Sequence, residues 1–229
     1  MQKIYDLTQE IYQGMPVWPG HIKTVMWDHD THESTKPTAN GFSWMSKGII
    51  LCDHGPTHVD AINHIDPTPG APSIDQIPIE KFYTSGICLD VSDVLPGEYI
   101  TKERLQKACA ESKLKITKGD TVLLYTGHFP KRYGTPEWLT NYAGLDRDGT
   151  LWLIDQGIVN IGIDAPSIDN PKDRSFPSHV ACREMSMLNT ENLADLRPVV
   201  GKRFQFIGLP LKIRGGTASP IRAVAVVEE

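Results

Sequence analysis

Six short apolar runs limit what this chain can fold into: GIILC (48 to 52), GICLDV (86 to 91), TVLLYT (121 to 126), IVNIGI (158 to 163), FQFIGLPL (204 to 211) and IRAVAVV (221 to 227). Most are rich in β-branched residues, bounded by Gly, Pro or Asp, and too short for helices, so they read as buried strands. Helical spacing of apolar residues lies between several of them. TKERLQKACAESK (101 to 113) opens on Thr101 as a cap, GTLWLIDQG (149 to 157) closes on Gly157, and a third helix is predicted from Ser178 through SHVACREMSML. The mixture predicts an α/β or α+β fold.

With 229 residues, 40% of them hydrophobic, the chain can bury a substantial core, and one domain spanning 1 to 229 is expected. There is no internal repeat, low-complexity tract or linker to divide it. DHDTHESTKPTANG (28 to 41) and TPGAPSIDQIP (68 to 78) read as loops, and His29 and His32 in the first as solvated histidines. Lys and Arg number 23 against 28 Asp and Glu, a net charge of -5, which leaves no basic surplus for nucleic acid or an anionic membrane. MQKIYDLTQE lacks the apolar segment of a signal peptide, and no run approaches the ~18 apolar residues of a membrane span, so a cytoplasmic protein is expected. The cysteines at 52, 88, 109 and 182 form no CxxC pair and read as reduced thiols in or near the core. Cys182 lies close to His179 in sequence, yet a small buried hydrophobe is the better reading for it.

HGPTHVDAINH (54 to 64) holds three of the eight histidines. His54, His58, Asp60 and His64 all have even numbers and would share one face of an extended strand. A straight strand would nevertheless part His54 from His64 by roughly 33 Å. The segment must therefore bend, at Gly55-Pro56 and again at Asn63 and the DPTPG that follows, while HVD stays extended with His58 and Asp60 side by side. Imidazole and carboxylate without thiolate suit zinc, manganese or iron in an open catalytic site better than a closed structural one. A polar loop with coincidental histidines is the bland alternative. HVD with a distant histidine such as His179 also matches the 2-His-1-carboxylate pattern of iron oxygenases, although that reading leaves His54 and His64 unused and favours an all-β jelly roll.

The segment resembles the HxGTHxDxPxH hallmark of the metal-dependent cyclase family, which includes bacterial kynurenine formamidase and isatin hydrolase. The resemblance extends to YDLTQEIYQGMPVWPG, IGIDAPSID (161 to 169), HVACREMSMLNTENLADL (179 to 196) and LPLKIRGGTASPIRAVAV. It implies an α/β fold of swivelling β/β/α type with a mixed sheet, and a homo-oligomer, commonly a dimer. By the same resemblance His54, His58 and Asp60 match the ligands of one divalent ion, and Asp60, His179 and Glu191 those of a second, with Asp60 bridging and His64 moving protons. Taken singly, His179 reads as a helix N-terminal histidine and Glu191 as a surface carboxylate before a short helix. Pro56 stands where the family usually has glycine, and Ile62 where it usually has proline. Pro56 restricts Gly55 before it, and Ile62 frees a backbone donor and changes the pocket wall.

The implied reaction is hydrolysis of a small-molecule amide, an N-formyl anilide of the kynurenine type, by water activated at two Zn2+ ions per subunit, with Mn2+ as the other candidate metal and no organic cofactor. Ring opening of an isatin-like lactam is the nearest rival; an iron oxygenase and a non-catalytic metal-binding module are rivals of other classes. Trp18, beside the Pro19-Gly20 turn, is a candidate wall for an aromatic substrate or else a core residue. His128, after a strand end, is a candidate substrate contact or else a surface histidine. Ser219 and Arg222 match a family block but are equally explained by a turn and a surface ion pair.

Overall fold

All six apolar runs supply strands in the computed structural model, which describes residues 1–36 and 41–228. The chain forms two compact units, Met1–Gln9 with Asp53–Glu229, and Glu10–Cys52. It opens with β1 (Gln2–Asp6) in the larger unit. The smaller unit follows as an antiparallel ribbon of β2 (Val25–Asp30) and β3 (Ser46–Ile50), with Val25 opposite Ile50. Back in the larger unit come β4 (His58–Asp60), the single-turn α1 (Ile62–Ile65), β5 (Tyr83–Asp90), β6 (Tyr99–Ile100) and α2 (Lys102–Ser112). β7 (Thr121–Tyr125), α3 (His128–Arg132), β8 (Gly144–Leu145), α4 (Arg147–Asp155) and β9 (Asn160–Ile163) follow. The last elements are α5 (Pro177–Met185), β10 (Leu188–Glu191), β11 (Arg203–Ile207), β12 (Ala218–Pro220) and β13 (Val224–Glu228).

Among the described residues a nine-stranded sheet runs in the order β1-β13-β11-β5-β7-β9-β10-β4-β12. Its centre, β5-β7-β9-β10, is parallel, and antiparallel strands flank it on both sides. This is the mixed sheet of the expected α/β class. Parallel strands are covered on both faces, which explains their near-continuous apolar runs: Ile87, Cys88, Leu89, Val122, Leu123 and Leu124 are fully buried. The helices α2, α4 and α5 lie in the crossovers between the parallel strands.

Local signals set the helix ends. Thr101 Oγ1 accepts from Arg104 N and caps α2. α4 starts two residues before the predicted Gly149, because Asp146 caps it by accepting from Gly149 N at 2.7 Å. Gly157 follows α4 at φ +80. α5 stops at Met185 and does not run through Leu188 as expected: Ser186 turns left-handed at φ 50, and the next residues join β10 beside β9.

Three other expectations are corrected. His29 lies in β2, not in a loop, while His32 is in the turn region that follows, with Nδ1 2.8 Å from Ser43 Oγ. Positions 37–40 of that predicted loop lie outside the described residues. GIILC supplies a strand that is not buried, since Ile49 and Ile50 are about half exposed in a ribbon of two strands. The second predicted loop holds a short 3-10 turn at Ile74–Gln76, closed by a capping box between Ser73 and Gln76.

Candidate metal centre

Strand register brings the two ends of the sequence together. In β4 the side chains of His58 and Asp60 share a face, as alternation requires. β10 pairs antiparallel with β4 and sets Glu191 opposite His58, while β12 pairs with the other edge and sets Ala218 opposite Asp60. His54 precedes the cis Gly55-Pro56 bond, and His64 projects from the single turn of α1. The bends expected on either side of HVD are therefore present. His179 is the third residue of α5, whose N-terminus Asp169 caps by accepting from Ser178 N at 2.6 Å and His179 N at 3.2 Å.

These side chains converge on Asp60. Its Oδ1 lies 2.9 Å from His54 Nδ1 and 3.3 Å from His58 Nε2, and its Oδ2 lies 3.5 Å from His179 Nε2. Glu191 closes the ring, with Oε2 3.7 Å from His58 Nε2 and Oε1 3.5 Å from His179 Nε2. The two Asp60 oxygens thus face different imidazoles, the geometry a bridging carboxylate needs. His64 stands at the exposed rim, its ring centroid 4.0 Å from that of His54 and 6.2 Å from that of His179.

The hydrogen bonds around the cluster turn the Nε2 atoms of His58 and His179 inward. His58 Nδ1 faces the Pro56 carbonyl at 2.9 Å, so it donates there and Nε2 keeps its lone pair. Asp169 Oδ2 lies 2.5 Å from His179 Nδ1, which likewise frees His179 Nε2 toward the carboxylates. An outer partner that fixes ring and tautomer in this way is the usual companion of a metal-binding histidine. Asn189 Nδ2 donates to Asp60 Oδ2 at 2.9 Å, while Ile168 N and Ser167 Oγ donate to Glu191 Oε1 at 3.0 and 3.1 Å.

A divalent cation fits this donor set. Asp60 Oδ1 is buried and receives no hydrogen bond, although imidazole nitrogens lie on two sides of it. A buried carboxylate oxygen left so is costly unless a cation satisfies it. Burial alone would push Asp60 up, yet His179, His54 and His58 hold it well below the ordinary carboxylate value. Burial pushes Glu191 up, and Asp60 adds to that, against His179 and His58. Burial opposes a proton on His179, but Asp169, Asp60 and Glu191 still raise it well above the usual imidazole value. A site that draws protons onto its imidazoles so strongly draws a divalent cation by the same charge. Two triplets, His54-Asp60-His64 and His58-Asp60-Glu191, have ligand atoms within 4.8 Å of one another.

Residues 5–170 match the "Putative cyclase" family model. The chain belongs to the cyclase family. A kynurenine formamidase of Salinibacter ruber is 30% identical over 224 residues, covering 96% of both chains. An isatin hydrolase solved with the product analogue thioisatinate superposes with a TM-score of 0.88 at 23% identity, covering 100% of this chain and 93% of its own. A structure described as a potential metal-dependent hydrolase with cyclase activity gives 0.77 at 25% identity and covers 100% of both chains.

The other residues singled out in the sequence have these surroundings. His128 is neither on the surface nor in the Asp60 cluster: it is 4% exposed, stacks on Trp138 at 4.7 Å, and sets Nε2 2.8 Å from the Trp138 carbonyl. Trp18 lies in the smaller unit, where His21 N donates to its carbonyl across the Pro19-Gly20 turn. Ile62 packs into the apolar core of the larger unit. Cys182 is buried, and burial pushes its thiol up, which makes it a poor nucleophile. Arg222 forms a surface ion pair with Asp6, whereas Ser219 is not in the expected turn: it lies in β12 opposite Val59, and its Oγ accepts from Leu211 N. Sequence reasoning did not single out Asp53, Asp169, Asn189 or Thr217. Asp169, Asn189 and Thr217 fall inside family-like blocks, but no spacing rule marks a residue whose partner is another side chain.

Proposed function

We propose that the chain is a metal-dependent amidohydrolase of arylformamidase type, converting N-formylkynurenine-like aryl formamides to formate and the free amine. The observation that carries this reading is the buried, unbonded Asp60 Oδ1 among His54, His58, His179 and Glu191. His54, His58 and Asp60 would hold one ion and Asp60, His179 and Glu191 a second, most simply Zn2+, with Mn2+ as the other fit. When bound, such ions polarise a carbonyl and bring the pKa of water from 15.7 toward about 7.

The chain's own groups supply positioning and proton transfer. His64 sits at the rim, where substrate and solvent meet the cluster. Desolvation by its surroundings, reinforced by His54, His179 and His58 and opposed by Asp60, pushes it down to about 4, so its imidazole is neutral at neutral pH. A neutral ring takes a proton from water as the formyl carbon gains its C–O bond. It returns that proton to nitrogen as the C–N bond breaks. Asn189 restrains both carboxylates, contacting Asp60 Oδ2 at 2.9 Å and Glu191 Oε1 at 3.4 Å, and keeps their oxygens aimed at the imidazoles.

The 30% identity to a kynurenine formamidase favours the formamide over a lactam, while ring opening of an isatin-like lactam uses the same groups and is the second reading. An iron oxygenase with a facial triad has no use for Glu191, which stands in the cluster. The reading also includes a cytoplasmic homo-oligomer, a dimer or larger. It names no nucleic-acid or membrane partner, because a net charge of -5 leaves no basic surplus for either; among the described residues no helix is long and apolar enough to cross a membrane. The test is formate release from N-formylkynurenine by purified protein stripped with chelator and reloaded with Zn2+ or Mn2+, with isatin assayed in parallel. Release that appears only on reloading supports the reading, and full activity after stripping refutes it. Isatin turned over in place of the formamide moves the assignment to the second reading.

A further inference from the structure

His54 is held from behind by a two-residue chain that begins outside the cluster. Asp53 Oδ2 accepts three hydrogen bonds, from Thr217 N at 3.1 Å, Thr217 Oγ1 at 2.8 Å and Ala218 N at 3.3 Å. An ionised carboxylate has no proton to give, so the single hydroxyl proton of Thr217 is committed to Asp53. Thr217 Oγ1 also lies 3.0 Å from His54 Nε2. With its proton spent, that oxygen can only accept, and His54 Nε2 must carry the hydrogen. In the neutral ring the other nitrogen, Nδ1, then keeps the lone pair, and it faces Asp60 Oδ1 at 2.9 Å. Two lone pairs that close in a buried site repel unless a cation lies between or beside them. Backbone pairing holds Thr217 in place: Ala61 N donates to its carbonyl at 2.9 Å, and the next residue, Ala218, is in register with Asp60.

We infer that Asp53 and Thr217 are positioning residues that set the tautomer of His54, with the proton on Nε2 and Nδ1 as the metal donor. This rests on the metal reading above. The bland alternative is that Asp53 only caps the Thr217-Ala218 turn through the two backbone N–H groups, a role that needs no hydroxyl. Thr217→Val separates the two, because it keeps both backbone donors and the shape of the side chain while removing the acceptor for His54.

The experiment measures Zn2+ affinity of the full chain by chelator competition, and the tautomer of His54 by 15N shifts of imidazole-labelled protein before and after Zn2+ loading. Thr217→Val is expected to weaken Zn2+ binding about 10- to 100-fold, Thr217→Ser to restore it, and Zn2+-loaded wild type to show the His54 proton on Nε2. Asp53→Asn, which lets an amide N–H donate to Thr217 and frees the hydroxyl to turn toward the ring, should move that proton to Nδ1 and weaken binding as well. If His54→Ala loses Zn2+ affinity but Thr217→Val does not, this inference falls and the metal reading stands. If His54→Ala binds Zn2+ like wild type, the metal reading falls with it. Should Thr217→Val fail to fold, the spectrum of Zn2+-loaded wild type decides: a proton on Nδ1 overturns the inference.

Discussion

His64 differs from the other imidazoles of the cluster in reaching solvent, and in the proposed mechanism that difference separates proton transfer from ion holding. His58 and His179 are backed by the Pro56 carbonyl and Asp169, whereas His64 meets its neighbours through ring contacts with His54 and His179. His64→Ala should therefore keep its metal, measured by elemental analysis, and lose kcat by about 10²- to 10⁴-fold, the contribution of a positioned acid-base group. Loss of metal in parallel with activity would make His64 a ligand, as the triplet it forms with His54 and Asp60 allows. Much of this residue-level arrangement was legible in HGPTHVDAINH, because metal-binding side chains must be local or alternate along a strand and so leave a spacing. The backing residues were not legible. Asp53, Asp169, Asn189 and Thr217 act through other side chains, and their pairings span up to 164 positions, as from Asp53 to Thr217, so only the fold reveals them.

At the scale of elements, the two-residue strand β8 supports the loop that carries Asp169. Leu145 N donates to the Ile168 carbonyl at 2.8 Å, and Ser178 Oγ donates to the Leu145 carbonyl at 3.0 Å, so β8 holds both this loop and the start of α5. Gly144 allows the approach, since a Cβ there would come within 2.2 Å of Asn170 N and the Asp169 carbonyl carbon. Backbone atoms cannot rotate away as a flexible side chain can. Gly144→Ala should cost about 1–3 kcal/mol as overpacking and should weaken Zn2+ binding by shifting Asp169 off His179, read by thermal melts and chelator competition. Unchanged stability with unchanged affinity would show that the loop does not fix His179. The sequence announces β5, β7 and β9 because their apolar runs are covered on both faces, and α2 because Thr101 caps it. It hides β8, β10 and β12, which have four residues or fewer. It also hides the end of α5, where the apolar spacing carries on past the left-handed turn at Ser186.

At the scale of the molecule, two surfaces of different chemistry bear on the proposed activity. The β2–β3 ribbon shows Val25, Trp27 and Ile50 about half exposed on one face, an apolar surface of the kind that marks an interface. A homo-oligomer closing over this face should be converted to monomer by Ile50→Lys, read by light scattering after size exclusion, and a wild-type monomer would refute the assignment. The proposed metal cluster would instead tie the larger unit to itself. Its proposed ligands come from residues 54 to 60 and 179 to 191, joined through the β4–β10 pairing that sets Glu191 opposite His58. Without an ion, that pairing encloses two carboxylates, Asp60 and Glu191, whose like charges oppose it. An ion that binds the folded state and not the unfolded chain adds about 2.7 kcal/mol at a hundredfold excess over its dissociation constant. For a chain of this length that is a rise in Tm of about 5–10 °C. Zn2+ or Mn2+ added to stripped protein should raise Tm by this amount in wild type and not in Asp60→Asn, which keeps the shape of the side chain but loses the charge. The same rise in both proteins would place the stabilising ion elsewhere, and no rise in wild type would mean that the cluster holds together without one.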